Sequence, residues 1–257
     1  MTVDRAASPL AADAAAFRIE RFAVLPSTNA EALDRAAAGD PGGLWIRADA
    51  QTLGRGRAGR AWTSPPGNLY ASLLLRPACA PSAAPGLSLL AAVAAADAVA
   101  AMRPAAAPRI ALKWPNDILI EGAKAGGVLL ESMGSTGPGR AVVIGVGVNV
   151  ASPPSGLDRP VAHARAFAPD ATVDRVFDAL VAAMAGWLRR WDDGRGFGAV
   201  RNAWLARAYG LGAPVSVRVN GSVVAGVFLG LDDDGALLLA DSAGAGERRV
   251  TAGDVCF

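Results

Sequence analysis

Two short segments carry the residue types best suited to chemistry. The first, Gly54-Arg55-Gly56-Arg57-Ala58-Gly59-Arg60-Ala61-Trp62, holds three glycines and three arginines. Glycine lets a backbone turn tightly and expose its N–H groups, and arginine keeps its charge at any working pH. A guanidinium also offers a planar fork that matches carboxylate and phosphate oxygens. The second, Lys113-Trp114-Pro115-Asn116-Asp117, follows about fifty residues later and sets a cation, an aromatic, an amide and a carboxylate around a rigid proline. Together they describe a site for an activated acid.

Covalent catalysis has little to work with. The one histidine, His163, lies in Ala162-His163-Ala164 and reads as a surface residue, so no Ser/His/Asp or Cys/His set is available. Cys79 and Cys256 cannot build a disulfide framework or a structural zinc site, and read as inert thiols. What remains is electrostatic. Arg55, Arg57, Arg60, Lys113 and Lys124 can stabilise charge developing on phosphate or carboxylate oxygens. Asn29, Gln51, Asn116 and Asn149 add neutral donors and acceptors that can orient a polar head group. An enzyme with many cations and no nucleophile suits activation of a substrate by a nucleotide.

Each feature also has a plain reading. The glycine–arginine run could be a flexible RNA-contacting segment. Trp62 and Trp114 could be core, Lys124 a surface lysine, and Asn149 the end of a strand. Those readings do not predict the joint appearance of all four.

The chain has 257 residues, 52% of them hydrophobic and 19% charged, which describes a compact protein with a substantial core. A formal net charge of +2 is too small for generic nucleic-acid binding. Residues 1–16 read as a loose, disordered tail without the charged start and apolar core of a signal peptide. The apolar stretch Leu87 to Met102 is short for a bilayer span and carries Asp97. The expectation is a cytoplasmic protein that engages no membrane.

The elements that must position these residues can be read from pattern. Phe17 to Leu25 is a strand, and Ser27 or Thr28 caps a helix that Gly39 ends. Strands follow at Leu44 to Gln51, Leu69 to Leu75, Ile110 to Lys113, Ile118 to Glu121, Gly127 to Met133 and Ala141 to Val150. Leu87 to Met102 is a buried helix. Ala151 to Pro169 is proline-rich and irregular. Val176, Phe177, Leu180, Val181, Met184, Trp187, Leu188 and Trp191 repeat at helical steps, and a further helix covers Phe197 to Tyr209. After Gly210-Leu211-Gly212 the character changes to short strands. Val215 to Val219 and Val223 to Leu231 flank the hairpin turn Asn220-Gly221, Asp232 to Gly235 is a solvated turn, and three more short strands complete a small barrel.

Five segments in this order resemble the biotin protein ligase family: Ser27-Thr28-Asn29, Gln51 with Gly54 to Trp62, Lys113 to Asp117, Lys124 to Gly127, and Gly145 to Asn149. The likeness runs from Phe17 to Phe257. It implies an α+β fold: a mixed-sheet catalytic domain over 17–209, of the biotin/lipoate ligase type, and an SH3-like β-barrel over 210–257. It also implies an ATP-dependent ligase, with biotin and ATP as substrates and Mg2+ accompanying ATP. Biotin's carboxylate attacks the α-phosphorus to give biotinyl-5′-AMP, and a lysine of a carboxylase's biotin carboxyl carrier domain then takes the biotinyl group.

Residue by residue, the resemblance implies catalytic roles for Lys124, Arg57 and Asp117, with Asp117 at an acidic position that orients either magnesium or the incoming lysine. It places biotin on Ser27, Thr28, Asn29, Gln51, Gly54, Arg55, Gly56, Arg57, Lys124, Gly126 and Gly127. It places the nucleotide on Arg57, Arg60, Trp62, Lys113, Asn116 and Asn149. Two departures stand out. Ala58 replaces an arginine common in the loop, and only about sixteen residues precede the first strand, too few for the DNA-binding domain of some members. The expectation is a ligase that binds no DNA, and a homodimer is compatible with it. A lipoate or octanoate ligase is the enzymatic alternative. A non-catalytic biotin sensor is the other, against which Lys124 and Asp117 argue.

Overall fold

The computed structural model describes residues 16–102, 108–134, 140–153, 160–219, 221–241 and 246–256. The expected tail therefore lies outside the described residues but for Ala16, as does Asn220 of the expected hairpin turn. Among the described residues four α-helices and twelve strands follow in order: β1 (Arg18–Leu25), α1 (Thr28–Ala37), β2 (Leu44–Gln51), β3 (Leu69–Leu75), α2 (Gly86–Ala100), β4 (Ile110–Lys113), β5 (Asp117–Ile120), β6 (Ala123–Met133), β7 (Ala141–Val148), α3 (Val173–Trp191), α4 (Phe197–Leu205), β8 (Pro214–Val219), β9 (Ser222–Leu231), β10 (Leu237–Asp241), β11 (Glu247–Val250) and β12 (Asp254–Cys256).

Seven strands form one mixed sheet in the order β1-β2-β3-β7-β6-β5-β4, with β1 and β2 parallel and the other pairs antiparallel. Successive strand residues point to opposite faces, so each strand contributes to two different layers. Trp45, Leu73, Val142, Ile144, Val146 and Val148 face a large core built with α2, α3 and α4. Leu44, Ile46, Leu74, Ala141 and Val143 face the other way, against Ala32 and Ala36 of α1. Helix α1 covers only part of that second face.

Helix α2 is apolar around its whole circumference and is enclosed by the sheet on one side and α3 and α4 on the other. Counted with the 3-10 turn ahead of it, the apolar segment runs 20 residues, Pro81–Ala100, which corrects the shorter length read from sequence. It is long and apolar enough to cross a membrane, yet 72% of its most apolar 18-residue window is buried here, as a core helix requires. Asp97 is matched at the partly exposed edge of the helix, accepting from Trp187 Nε1 at 2.7 Å and pairing with Arg207 at 2.7 Å. Helix α4 stops at Leu205, short of the Tyr209 expected. There the chain leaves the helix and bridges to β4, with Leu112 N donating to Arg207 O at 2.8 Å and Tyr209 N to Leu112 O at 2.8 Å.

The last five strands form an antiparallel sheet in the order β11-β10-β9-β8-β12, the small barrel expected. It does not stand apart. Val217, Phe228, Leu237 and Leu239 belong to the same buried cluster as Trp114 and Trp204. The turn Asp232 to Gly235, read from sequence as merely solvated, is a docking point. Asp233 is exposed, but Gly235 O accepts from Trp114 Nε1 at 3.2 Å, and a Cβ at Gly235 would lie 2.7 Å from Leu89. Asp232 holds this turn through Arg249 and the N–H groups of Asp234 and Ala236. Its carboxyl sits below the ordinary carboxylate range: burial pushes it up, but those bonds outweigh the burial.

Candidate active site

The uncovered part of the α1 face is a cavity of about 480 Å³, within the range of small-molecule sites. Its floor is set by strand register. Ser72 of β3, Gly145 of β7 and Leu129 of β6 lie opposite one another, and so do Tyr70, Gly147 and Gly127 in the next row. The glycines of Gly145-Val146-Gly147 are there for space. A Cβ at Gly145 would stand 2.2 Å from Asn29 Oδ1, and one at Gly147 would meet the Trp62 ring at 2.9 Å. Val146 and Val148 between and beside them fill the helical core. Burial pushes the Tyr70 hydroxyl up to about 12, so it remains a donor, here to Pro65 O at 2.8 Å.

The polar end of the cavity comes from the start of α1. Ser27 caps the helix, its Oγ accepting from Ala30 N at 3.4 Å, which turns Thr28 and Asn29 toward the sheet. Gln51 at the end of β2 reaches Thr28, its Oε1 accepting from Thr28 N at 2.8 Å while its Nε2 donates to Ser64 Oγ at 2.9 Å. Ser27, Thr28 and Asn29 are all buried yet line the cavity.

The glycine–arginine segment forms a hairpin-like arm over the opening. Trp62 N donates to Gly54 O at 2.9 Å and Gly56 N to Arg60 O at 2.7 Å, with Ala58 and Gly59 at positive φ at its tip. Arg57 turns inward. It donates to Gly253 O at 3.2 Å and to Asn116 Oδ1 at 3.4 Å, and lies 3.5 Å from the Asp254 carboxylate. Arg60 reaches the same carboxylate at 3.1 Å. Burial pulls the Arg57 guanidinium below its ordinary value. Asp254 and Asp117 push the other way, and Arg60 adds to the lowering. The arm is thus fastened across the cavity to the C-terminal barrel.

Lys124 stands at the centre. Its ammonium pairs with Asp117 and lies 5.4 Å from the centre of the Trp62 ring. Both charges are largely enclosed, at 14% and 17% exposure. Lys113 and Asn116 complete this wall. Asn116 Nδ2 donates to Val128 O at 2.6 Å, which ties the turn before β5 to β6. Among the described residues no three His, Cys, Asp or Glu side chains cluster as a metal cage. With Asp117 engaged by Lys124, the donor set suits a magnesium ion that arrives on a triphosphate.

Of the residues implied from sequence, Ser27, Thr28, Asn29, Gln51, Arg55, Gly56, Arg57, Arg60, Trp62, Lys113, Asn116, Asp117, Lys124 and Gly127 line this one cavity. Gly54, Gly126 and Asn149 are not among the residues that line it, and each has a structural task beside it. A Cβ at Gly54 would sit 2.3 Å from Trp62 O, so glycine is needed to close the arm. A Cβ at Gly126 would sit 2.7 Å from Gly147 O, so glycine lets β6 and β7 approach. Asn149 is buried, and its Nδ2 donates to Ala162 O at 3.0 Å, holding the segment beside Lys124.

Sequence reasoning missed Tyr70, Ser72, Glu131 and Asp254. Glu131 was within reach: Gly127 and Leu129 line the cavity, and a period of two carries the same face to Glu131. Its Oε2 accepts from Asn29 Nδ2 at 2.7 Å and Arg55 NH2 at 3.2 Å. Asp254 carries no local signal, since it meets Arg60 from 194 positions away.

A polar pocket, an arginine-bearing arm and an enclosed lysine define a site for a carboxylic acid and a phosphate-bearing second substrate. Comparison with known proteins narrows this. Residues 22–149 match the model of the biotin/lipoate A/B protein ligase family, and residues 210–257 match that of the biotin protein ligase C-terminal domain. A biotin–[acetyl-CoA-carboxylase] ligase of Paracoccus denitrificans is 44% identical, over 90% of this chain and 97% of the relative. The fold matches a biotin protein ligase of Aquifex aeolicus solved with biotin and ATP, at TM-score 0.72 and 22% identity over 93% of this chain and 97% of that one. A Leishmania major biotin protein ligase solved with biotinyl-5-AMP is 25% identical at TM-score 0.62, over 91% of this chain and 99% of that one. The chain belongs to the biotin protein ligase family.

Proposed function

We infer that this chain is an ATP-dependent biotin protein ligase. One observation carries the reading: the arm, the Lys113–Asp117 turn and Lys124 converge on one cavity whose far end is the polar Ser27–Thr28–Gln51 group. A biotin carboxylate oxygen attacks the α-phosphorus of MgATP, the bond to the β-phosphate bridge breaks, and pyrophosphate leaves with biotinyl-5′-AMP formed. The ε-amine of a lysine then attacks the acyl carbon, forms an amide and releases AMP. The acceptor is a biotin carboxyl carrier domain of a carboxylase, as the name of the Paracoccus relative supports.

In this scheme Lys124 neutralises charge where carboxylate meets phosphate. Fixed donors in an enclosed site act there without reorganising. Arg57 and Arg60 hold the phosphate side and exchange Asp254 for phosphate oxygens. Trp62 covers the reacting centre, and its Nε1 is a buried donor with no protein acceptor among the described residues. Exchange of labelled pyrophosphate into ATP tests the reading. Exchange that requires biotin supports it, and exchange driven equally by lipoate or octanoate, or by no acid, rejects it.

A further inference from the structure

Behind the head-group end of the cavity runs a chain of buried polar side chains, and its direction can be worked out. Asn29 Nδ2 donates to Glu131 Oε2 at 2.7 Å and to Leu129 O at 3.3 Å, while Asn29 Oδ1 lies 2.6 Å from Ser72 Oγ. A carboxylate and a carbonyl only accept. The amide nitrogen must therefore face Glu131, and the amide oxygen must face Ser72. Since Asn29 Oδ1 also only accepts, the single Ser72 proton points at it. Ser72 Oγ lies 2.7 Å from Thr28 Oγ1 as well. With its own proton committed, Ser72 accepts there and Thr28 donates. Gln51 Oε1 then draws its hydrogen bond from Thr28 N at 2.8 Å, not from the Thr28 hydroxyl at 3.2 Å.

The result is an accepting wall formed by Thr28 and Gln51, while the donors of the pocket come from Ser27 and Arg55. Thr28 Oγ1 and Gln51 Oε1, both at the cavity, turn lone pairs toward it and no proton. We propose that Glu131 is a positioning residue that sets this polarity through Asn29, Ser72 and Thr28, making the head-group pocket one for N–H donors such as those of a cyclic urea. Asn29 has no freedom to adapt, being 4% exposed and pressed against Gly145, with Ser72 fully buried. Glu131 itself does not line the cavity and acts only through its neighbours. This deepens the reading of the site as a biotin pocket and rests on it.

The test is calorimetric titration of biotin in the absence of ATP, with steady-state pyrophosphate exchange alongside. Should wild-type protein fail to bind biotin, the functional reading falls before any variant is made. In Glu131→Ala the biotin Kd and KM should rise about tenfold or more, as expected when buried hydrogen bonds lose their direction. The ATP KM and kcat should stay within about twofold. Glu131→Gln keeps an oxygen that accepts from Asn29, and should bring biotin Kd back to within about threefold of wild type. Wild type should also reject biotin methylated on a ureido nitrogen, and Glu131→Ala should lose much of that discrimination. Should Glu131→Ala not fold, Ser72→Ala cuts the same chain one link further on and must give the same selective rise. Unchanged biotin affinity in these variants overturns the proposal. So does a rise in ATP KM instead, and so does failure of glutamine to rescue, which would mean action through the charge pair with Arg55.

Discussion

The two faces of β7 place opposite demands on neighbouring residues. Val142, Ile144, Val146 and Val148 point to the helical core, where volume is needed and every methyl group finds a neighbour. Gly145 and Gly147 point to the cavity, where the absence of a side chain lets Asn29 and Trp62 sit against the sheet. One strand thus builds stability on one side and a site on the other, and the parity of the position decides which. The site side is further divided into polar machinery that faces ligand and backbone that makes room.

The largest expected effect falls on the machinery. Lys124→Ala should lower the rate of biotin-dependent pyrophosphate exchange by about two orders of magnitude, since removing one preorganised donor at a charged transition state costs roughly 3 kcal/mol. The midpoint of thermal unfolding should move far less, because Lys124 belongs to the site face. Near-normal exchange would remove Lys124 from its place at the reacting oxygens.

The next pair tests the parity itself. Ile144 is fully buried, and Ile144→Ala should cost about 2–5 kcal/mol in denaturant unfolding, with biotin Kd of the folded protein unchanged. Gly145→Ala puts a Cβ 2.2 Å from Asn29 Oδ1, which must move. Biotin Kd should rise about tenfold while stability falls by less, roughly 1–3 kcal/mol. If both variants lose stability alone, or both lose affinity alone, the division of β7 into a core face and a site face is wrong.

This division also explains what could be read in advance. Strand and helix positions were legible because apolar periodicity is local, so β2, β3 and β4 fall where pattern placed them. The arm and the Lys113–Asp117 turn were legible because their chemistry is concentrated in a few consecutive residues. Ser72 was not, because its role depends on which residues stand opposite it across β3, β7 and β6. Gly54 and Gly126 sat inside recognisable motifs, yet their work is to let backbones approach. Asn149, which the family resemblance sets on the nucleotide side, also pins the loop beside Lys124. A motif reports that a position matters and leaves open whether it touches the ligand or shapes what does.

The smallest effect concerns how the site is closed from outside the sheet. Asp254, on the last strand of the barrel, is the carboxylate on which Arg57 and Arg60 converge, at 3.5 and 3.1 Å. Without it the two guanidinium groups repel with less counter-charge beside them, and the arm's tip, with Ala58 and Gly59 at positive φ, among the described residues keeps only the Arg57 bonds to Gly253 O and Asn116 Oδ1 across the cavity. The pairs are open to water, with Asp254 46% exposed, so each contributes on the order of 0.2–1 kcal/mol. Asp254→Ala should therefore speed tryptic cleavage after Arg55, Arg57 or Arg60 by about two- to fivefold in the free protein. Biotin with ATP should bring wild type and variant to the same slow rate, since phosphate oxygens then take the place of the carboxylate. An unchanged rate in the free variant would mean that the Gly253 carbonyl, which accepts from both Arg57 nitrogens at 3.2 and 3.3 Å, holds the arm by itself. The barrel would then close the site through backbone geometry, with its charge playing no part.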